Sequence, residues 1–309
     1  VRYASWSIII DDIVFPDGRT AMGVLGGGGL YAAAGMRIWS PDASVIANVG
    51  ADFDLALLNG PDLRPDGIRV TSRPTPRAWQ LFEVDGQRTQ IRRVAAADWS
   101  EQLRRGDDLP ERLVGLGVRA FHLASRGHPT DPELAARMAG LGIRLSLEPI
   151  IEEGMNPDQR ARVLACLPHV EIFSPGVAET RALLGAQPLA EALREFADRG
   201  PPIVALRRGA AGSLIYDRER RRMLQVPAAP ASVVDVTGAG NAYCGGLLVG
   251  LVEQGRLDMA AAQAAVSAAL TIEQIGPPRI TPALIATAER RLPGVLALLR
   301  EKEADDLRD

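Results

Sequence analysis

Lysine is almost missing from this chain of 309 residues: of 35 Lys plus Arg residues, only Lys302 is lysine. Codon bias in a GC-rich genome accounts for the scarcity, but the chemical consequence holds whatever its origin. A Gly-x4-Gly-Lys phosphate loop is excluded, as is a Schiff-base or pyridoxal lysine in the core. Any phosphate gripped by a side-chain cation must be gripped by arginine. Cysteine is nearly as scarce. The two thiols, Cys166 and Cys244, cannot build a disulfide framework or a CxxC metal site, which fits a reducing cytosol and predicts a cytoplasmic protein. The three histidines, His122, His128 and His169, form no HExxH and no two-Cys-two-His pattern, so neither a zincin nor a structural zinc site is expected. No GxSxG elbow is present. Val1 to Asp11 contains one short apolar run that ends in acid, which predicts neither a signal peptide nor a membrane span. There is no excess of positive charge either. The 35 basic residues face 38 acidic ones for a net charge of −3, so nucleic acid is not an expected partner.

What is present is an ordinary globular composition, 47% apolar and 24% charged, in a chain long enough to bury a full core. Short β-type runs at Ser7–Ile10, Ala43–Val49, Ala120–Ala124, Arg144–Leu147, Val170–Phe173 and Ile203–Leu206 alternate with helical stretches. Two of those helices carry start signals: Asp131-Pro132-Glu133 and Asn156-Pro157-Asp158 each set a cap before a proline and a first-turn acid. The alternation predicts an α/β fold with an open, mainly parallel sheet flanked by helices, which binds substrates at the carboxyl ends of its strands. Ile68–Val94 breaks the rhythm, with polar and apolar residues alternating around a turn at Asp85-Gly86. We read it as an antiparallel hairpin that joins residues Ile13–Val24 in a small sheet over one edge of the main body; an edge hairpin of the central sheet is the plainer account. The chain is helical after Asn241, and the charged Glu301–Asp309 is expected to fray.

The most informative stretch is Ser232–Gly246, SVVDVTGAGNAYCGG. An apolar run enters it, Thr237-Gly238-Ala239-Gly240 turns sharply, and a helix leaves. The unpaired N–H groups at such a turn sit at the positive end of the helix dipole and form an anion pocket that needs no lysine. A glycine turn alone is weak support, since many α/β proteins use one for tight packing.

It has company. Asp235 to Gly246 resembles the signature DTxGAGDxFxxG of the ribokinase-like (PfkB) carbohydrate kinases. Ile9-Ile10-Asp11-Asp12-Ile13-Val14 is similar to the family's first strand, and Gly26–Gly35 to its glycine-rich substrate segment. Asn48-Val49-Gly50-Ala51-Asp52 resembles its VGxD turn, Ser174–Glu179 its PNxxE and Arg207–Gly212 its TxGxxG. Several motifs in the right order are far more specific than any one.

The resemblance implies a ribokinase-like fold over residues 1–309 as a single domain, with lid strands inserted at about 13–24 and 68–94. It implies transfer of the γ-phosphoryl group of ATP to a hydroxymethyl group of a sugar or nucleoside, with Mg²⁺ as cofactor. It places the substrate at Asp11, Gly26, Gly27 and Tyr31, the transferring phosphate at Gly238, Ala239 and Gly240, and the nucleotide at Arg207, Gly209, Gly212 and Thr237. Glu179 would hold Mg²⁺ through water. A monovalent cation such as K⁺ is common in the family, in the loop that here contains Asp235 and Thr237, and lid sheets often pair subunits into homodimers. The small-molecule substrate is the partner it implies.

Three departures stand out. The position of the proton-accepting Asp is Asn241, an amide that takes no proton at neutral pH. Gly176 replaces the Asn of PNxxE, which weakens the metal and phosphate shell, and Tyr31 falls where many members have a sugar-binding Asn. Either another acid serves, or the protein binds without efficient catalysis, or Asn241 is an introduced substitution. Two other classes fit less well. Gly27–Ala32 matches a dinucleotide GxGxxA with Asp52 downstream, but the run before it is a poor strand. Asp11-Asp12 lacks the acid–spacer–acid spacing of a haloacid dehalogenase. A nucleotide- or sugar-binding protein on the kinase fold is the remaining alternative.

Overall fold

The computed structural model describes residues 1–84, 88–151 and 155–303. The first half runs β1 (Tyr3–Trp6), β2 (Ile9–Val14), β3 (Thr20–Gly26), α1 (Gly28–Arg37), β4 (Ala43–Gly50), β5 (Ile68–Thr71), β6 (Arg77–Phe82), β7 (Arg88–Arg92), α2 (Ala96–Leu103), α3 (Leu109–Gly115), β8 (Ala120–Ser125) and α4 (Asp131–Gly140). The second half continues β9 (Arg144–Pro149), α5 (Pro157–Ala165), β10 (Ile172–Phe173), α6 (Val177–Leu184), α7 (Leu189–Asp198), β11 (Ile203–Arg207), β12 (Ser213–Asp217), β13 (Arg222–Val226), α8 (Ala239–Gln254), α9 (Leu257–Ile272), α10 (Pro282–Leu298) and β14 (Arg300–Glu303).

Among the described residues these strands form a large sheet in the order β14-β13-β12-β11-β10-β9-β8-β1-β4-β5 and a small one in the order β3-β2-β6-β7. From β11 to β5 the large sheet is parallel; β12 to β14 are antiparallel additions at one edge. Strands such as IVAL at Ile203–Leu206 are apolar throughout because helices cover both faces. On one face α1, α8, α9 and α10 bury Met36, Leu247, Val266 and Val295; on the other α3, α4, α5 and α7 bury Leu113, Met138, Val163 and Phe196. The expected α/β fold with a large, mainly parallel sheet and a small separate sheet is the fold observed.

Several boundaries move. Ser7–Ile10 is not one strand: β1 ends at Trp6 in the large sheet, Ser7 takes a left-handed φ of 100°, and β2 begins at Ile9 in the small one. The small sheet therefore starts four residues before Ile13. Ile68–Thr71 does not belong to it either, since β5 pairs with Ala47–Gly50 of β4. Arg77–Phe82 and Arg88–Arg92 are its second pair of strands, and the expected turn at Asp85-Gly86 lies outside the described residues. Asp131 is not the cap of α4; Thr130 is, and the Asp131 carboxylate instead takes hydrogen bonds from Ser125, Arg105 and the His128 amide. Asn156 does cap α5, in a capping box with Gln159. Arg300–Glu303 pairs with β13, so the expected fraying is corrected for Glu301–Glu303, and the rest of that stretch lies outside the described residues; an edge strand tolerates charge because only one of its sides needs a partner.

Candidate active site

The carboxyl ends of β8, β9 and β11 converge below the start of α8, and the small sheet closes the space from above. The resulting cleft encloses about 470 Å³ and is lined by Asp11, Gly27, Tyr31, Glu179, Arg207, Thr237, Gly238, Ala239, Gly240 and Asn241 from the motifs. Trp6, Gln80, Phe82, Arg88, Glu148 and Pro149 line it too. Gly26 sits immediately beneath the Asp11 carboxylate, where a Cβ would fall 2.0 Å from Oδ2. Gly209 and Gly212 shape the short turn after β11 and stand outside the lining.

The turn into α8 forms because Gly238 adopts a φ of 78°, which an L side chain rarely takes. A Cβ there would also fall 2.2 Å from the Tyr31 ring. Tyr31 is thus a floor under the turn, 2% exposed, rather than a side chain reaching into open space. Its hydroxyl is buried without a hydrogen-bond partner among the described residues, and burial, with Asp11 and Asp235 nearby, raises its pKa well above that of an ordinary phenol. The start of α8, a helix of 16 residues, lines the cleft with its positive end, although the Ala239 amide bonds to the Val236 carbonyl.

Arg207 ends β11, where its amide bonds to the Pro175 carbonyl and so ties β11 to the loop that leads into α6. Its guanidinium packs against the turn: a Cβ on Gly240 would fall 2.1 Å from Nη1. That nitrogen donates to Glu148 Oε2 at 2.9 Å, while Nε is buried with no partner among the described residues. Arg207 is therefore a largely buried cation aimed at the turn, its side chain 18% exposed, while the neighbouring Arg208 bonds to the Ala211 carbonyl. Glu179, in the first turn of α6, faces the cleft and makes no hydrogen bond or ion pair among the described residues.

At the other end, the Asp11 carboxylate accepts from Gln80 Nε2 at 2.7 Å. Burial raises its pKa to about 6, against the opposing effects of Gln80 and Arg88. Asp12 points the other way, to Arg77 and Arg93, and a bulge between Asp11 and Ile13 separates the two roles. Asp52 braces the crossover into β6 through the Thr75 amide and hydroxyl, at 2.9 and 2.8 Å.

The residue that the motifs missed is Glu148. It lies one position past the expected strand Arg144–Leu147, is 2% exposed, and accepts hydrogen bonds from the Asn241 side-chain amide and from Arg207. His122 Nε2 stands 3.5 Å from its Oε1. Burial alone would push Glu148 up, but Arg207, His122 and the Asn241 amide together outweigh it and hold the carboxyl at about 2. An acid at the end of a parallel strand, followed by proline, was the available signal.

A glycine-turn anion pocket facing a buried carboxylate across a two-sheet cleft agrees with the sequence comparison, in which residues 22–283 match the description "pfkB family carbohydrate kinase". The chain belongs to the pfkB family. A cytidine kinase of Thermococcus kodakarensis is 25% identical over 245 residues, 79% of this chain and 85% of that one. A fructokinase of Salmonella thompson is 28% identical over 174 residues, 53% of this chain and 77% of that one. Among solved structures, Arabidopsis thaliana ribokinase complexed with ribose and ATP superposes with a TM-score of 0.71 at 21% identity, covering 93% of this chain and 98% of that one. A Burkholderia thailandensis nucleoside kinase in complex with inosine gives 0.69 at 20%, covering 93% and 96%. As a pfkB protein the chain falls in the class of carbohydrate or nucleoside kinases. Among its described residues no helix is long and apolar enough to cross a membrane.

Proposed function

We propose that this protein transfers the γ-phosphoryl group of ATP to a hydroxymethyl group of a sugar or nucleoside. The observation that carries this reading is that one cleft brings Arg207 and the Gly238–Gly240 turn together with Asp11 and Gln80. The first group suits a polyphosphate and the second suits sugar hydroxyls, whose donors a buried carboxylate accepts. Trp6, Phe82 and Pro149 add an apolar wall for a ring. The chemistry asked of the chain is positioning and charge neutralisation. In the pairing of acceptor and ATP, the hydroxyl oxygen bonds to Pγ as the bond to the β-phosphate breaks, and that electron pair leaves with ADP.

The residues fit the cofactors the family implies. The Glu179 carboxylate, open to the cleft, is a hard oxygen donor of the kind Mg²⁺ takes once or twice alongside water and phosphate. Bound there, the metal would neutralise charge on the phosphates. Gly176 gives that carboxylate room, since a Cβ would fall 2.3 Å from Oε2. Among the described residues Asp235 Oδ2 and Thr237 Oγ1 are buried without hydrogen-bond partners, a pair of oxygens suited to a monovalent cation such as K⁺.

Asn241 favours a second reading, a binding protein with little turnover, because its amide takes no proton. General-base assistance contributes about 10² to 10⁴ in rate, and oriented donors and cations typically act on the larger part of the barrier. We therefore expect turnover. ADP release with ATP, Mg²⁺ and a panel of sugars and nucleosides tests it: no acceptor-dependent ADP with any of them removes the kinase reading. A rise in Tm with ATP but no turnover selects the binding protein, and no rise at millimolar ATP counts against both.

A further inference from the structure

Glu148 belongs to none of the motifs that identify the family, yet it is the most deeply buried charge at the floor of the cleft. We propose that Glu148 and Asn241 form a matched acid–amide pair, in which the carboxylate sits at the end of β9 instead of the first turn of α8. Glu148 is then the positioning residue that fixes the Asn241 amide and the Arg207 guanidinium for phosphoryl transfer. The role in transfer rests on the kinase reading; the pairing does not.

The sense of the hydrogen bond comes first. An ionised carboxylate only accepts, so the group that faces Glu148 Oε1 must be Asn241 Nδ2. That leaves Oδ1 as the free acceptor of the amide, on a residue that lines the cleft. It is suited to receive the hydrogen bond of an acceptor hydroxyl and to orient that oxygen toward phosphorus. An aspartate at 241 would instead set two carboxylates in contact beside a residue only 2% exposed. Asn241 is therefore the residue this site is built around, and an accidental replacement does not explain it.

The second oxygen of Glu148 has an equally specific task. It holds Arg207 Nη1 at 2.9 Å, which lays the guanidinium against Gly240 and leaves the buried Nε without a partner among the described residues. One carboxylate thus aligns the hydroxyl's hydrogen-bond acceptor and the phosphate's cation. Because Glu148 is already neutralised by Arg207 and enclosed, it does not collect the hydroxyl proton. That proton passes to a non-bridging oxygen of the transferred phosphoryl group, which balances the step without a protein base. His122, Glu148 and Cys244 also cluster within 4.8 Å of one another. Burial pushes the Cys244 thiol up to about 12 and Arg207 already occupies the carboxylate, so the cluster is not set up to take a metal ion.

The test is a cycle of Asn241→Asp, Glu148→Gln and the exchanged double variant, with Asn241→Ala as a control that removes the donor without adding charge. Thermal unfolding at pH 8 needs no substrate. Asn241→Asp should lower Tm by about 5 °C or more and by more than Asn241→Ala does, and the double variant should recover most of that loss. In rate assays Asn241→Asp should not gain turnover alone. The double variant should recover activity, and its pH–rate profile should carry a second acid limb in addition to the one that Asp11 gives the native protein. If Asn241→Asp is as stable as the native protein, loses no more Tm than Asn241→Ala, or gains about tenfold in rate with Glu148→Gln adding nothing, the proposal is overturned. If Tm shows the coupling but no form turns over any acceptor, the kinase reading falls and the positioning role with it, while the pairing stands.

Discussion

Asp11 and Asp12 are neighbours on β2, and the fold drives their carboxyls in opposite directions. Arg77 leads the effects that hold Asp12 well below the ordinary carboxylate range, with help from the Gly23 amide and Arg93. Burial holds Asp11 at about 6. An acid whose folded pKa exceeds its unfolded value of about 3.9 costs nothing at a pH below both. It destabilises progressively as pH rises from 4 to 6, where the folded state must give up a proton it retains more tightly. Asp11→Asn should therefore be more stable than the native protein at pH 8 by an order of 2–3 kcal/mol, with the difference vanishing below about pH 4. Urea unfolding at the two pH values checks this, and equal stability at pH 8 refutes the burial account. Function should move the other way. If the ionised form accepts substrate hydroxyls, native kcat/KM falls below about pH 6, and Asp11→Asn lowers kcat/KM at pH 8 and removes that limb.

The element that sets the chemistry is the turn into α8, and its demands are backbone demands. Gly238 has a left-handed φ of 78° and the Tyr31 ring directly where a Cβ would go. Gly238→Ala should cost about 1–3 kcal/mol, from both the dihedral and the overpacking, and abolish the Tm shift by ATP; an unchanged shift would show that the turn does not hold the nucleotide. These demands made the turn legible in the sequence, because only glycine satisfies them. The alternation of strands and helices was legible for a related reason: strands buried on both faces have to be apolar, as IVAL is. Other features carried no such mark. YASW at Tyr3–Trp6 is mixed in composition because Ser5 bonds to the Gly29 carbonyl inside the core. The break at Ser7 takes a positive φ without a glycine to announce it. Glu148 gains its meaning only where β8, β9, β11 and α8 meet, and those segments are far apart in the chain. Charged residues at Arg300–Glu303 read as a loose end until β13 supplies their hydrogen bonds.

At the scale of the whole molecule, a large sheet with helices on both faces carries a small sheet with little core of its own. The main body buries two extensive apolar layers. The small sheet shares Ile10 and Leu25 with a third, smaller apolar cluster, and its strands are joined by polar groups: Asp12, with no exposed side-chain surface, receives the Gly23 amide from β3, Arg77 from β6, and Arg93 just beyond β7. One carboxylate thus joins three of the four strands, and Arg93 also lies 4.5 Å from the centre of the Trp79 ring. Asp12→Asn should loosen this sheet while leaving the two main layers intact. Removing one member of a buried ion pair costs about 3–5 kcal/mol; both arginines are a third or more exposed, so about 2–3 kcal/mol is the better expectation here. Because an acid held below its unfolded pKa contributes stability above about pH 4 and loses it as pH falls further, the variant should differ from the native protein at pH 7 and converge with it in strong acid. Amide exchange in β2, β3 and β6 should quicken by about 30- to 100-fold at pH 7, with α8 and α9 unchanged. If the small sheet is the substrate lid, KM for the acceptor should rise more than kcat falls. Equal acceleration of exchange throughout the chain would show instead that both sheets unfold as one unit, and that Asp12 supports the whole molecule rather than its cover.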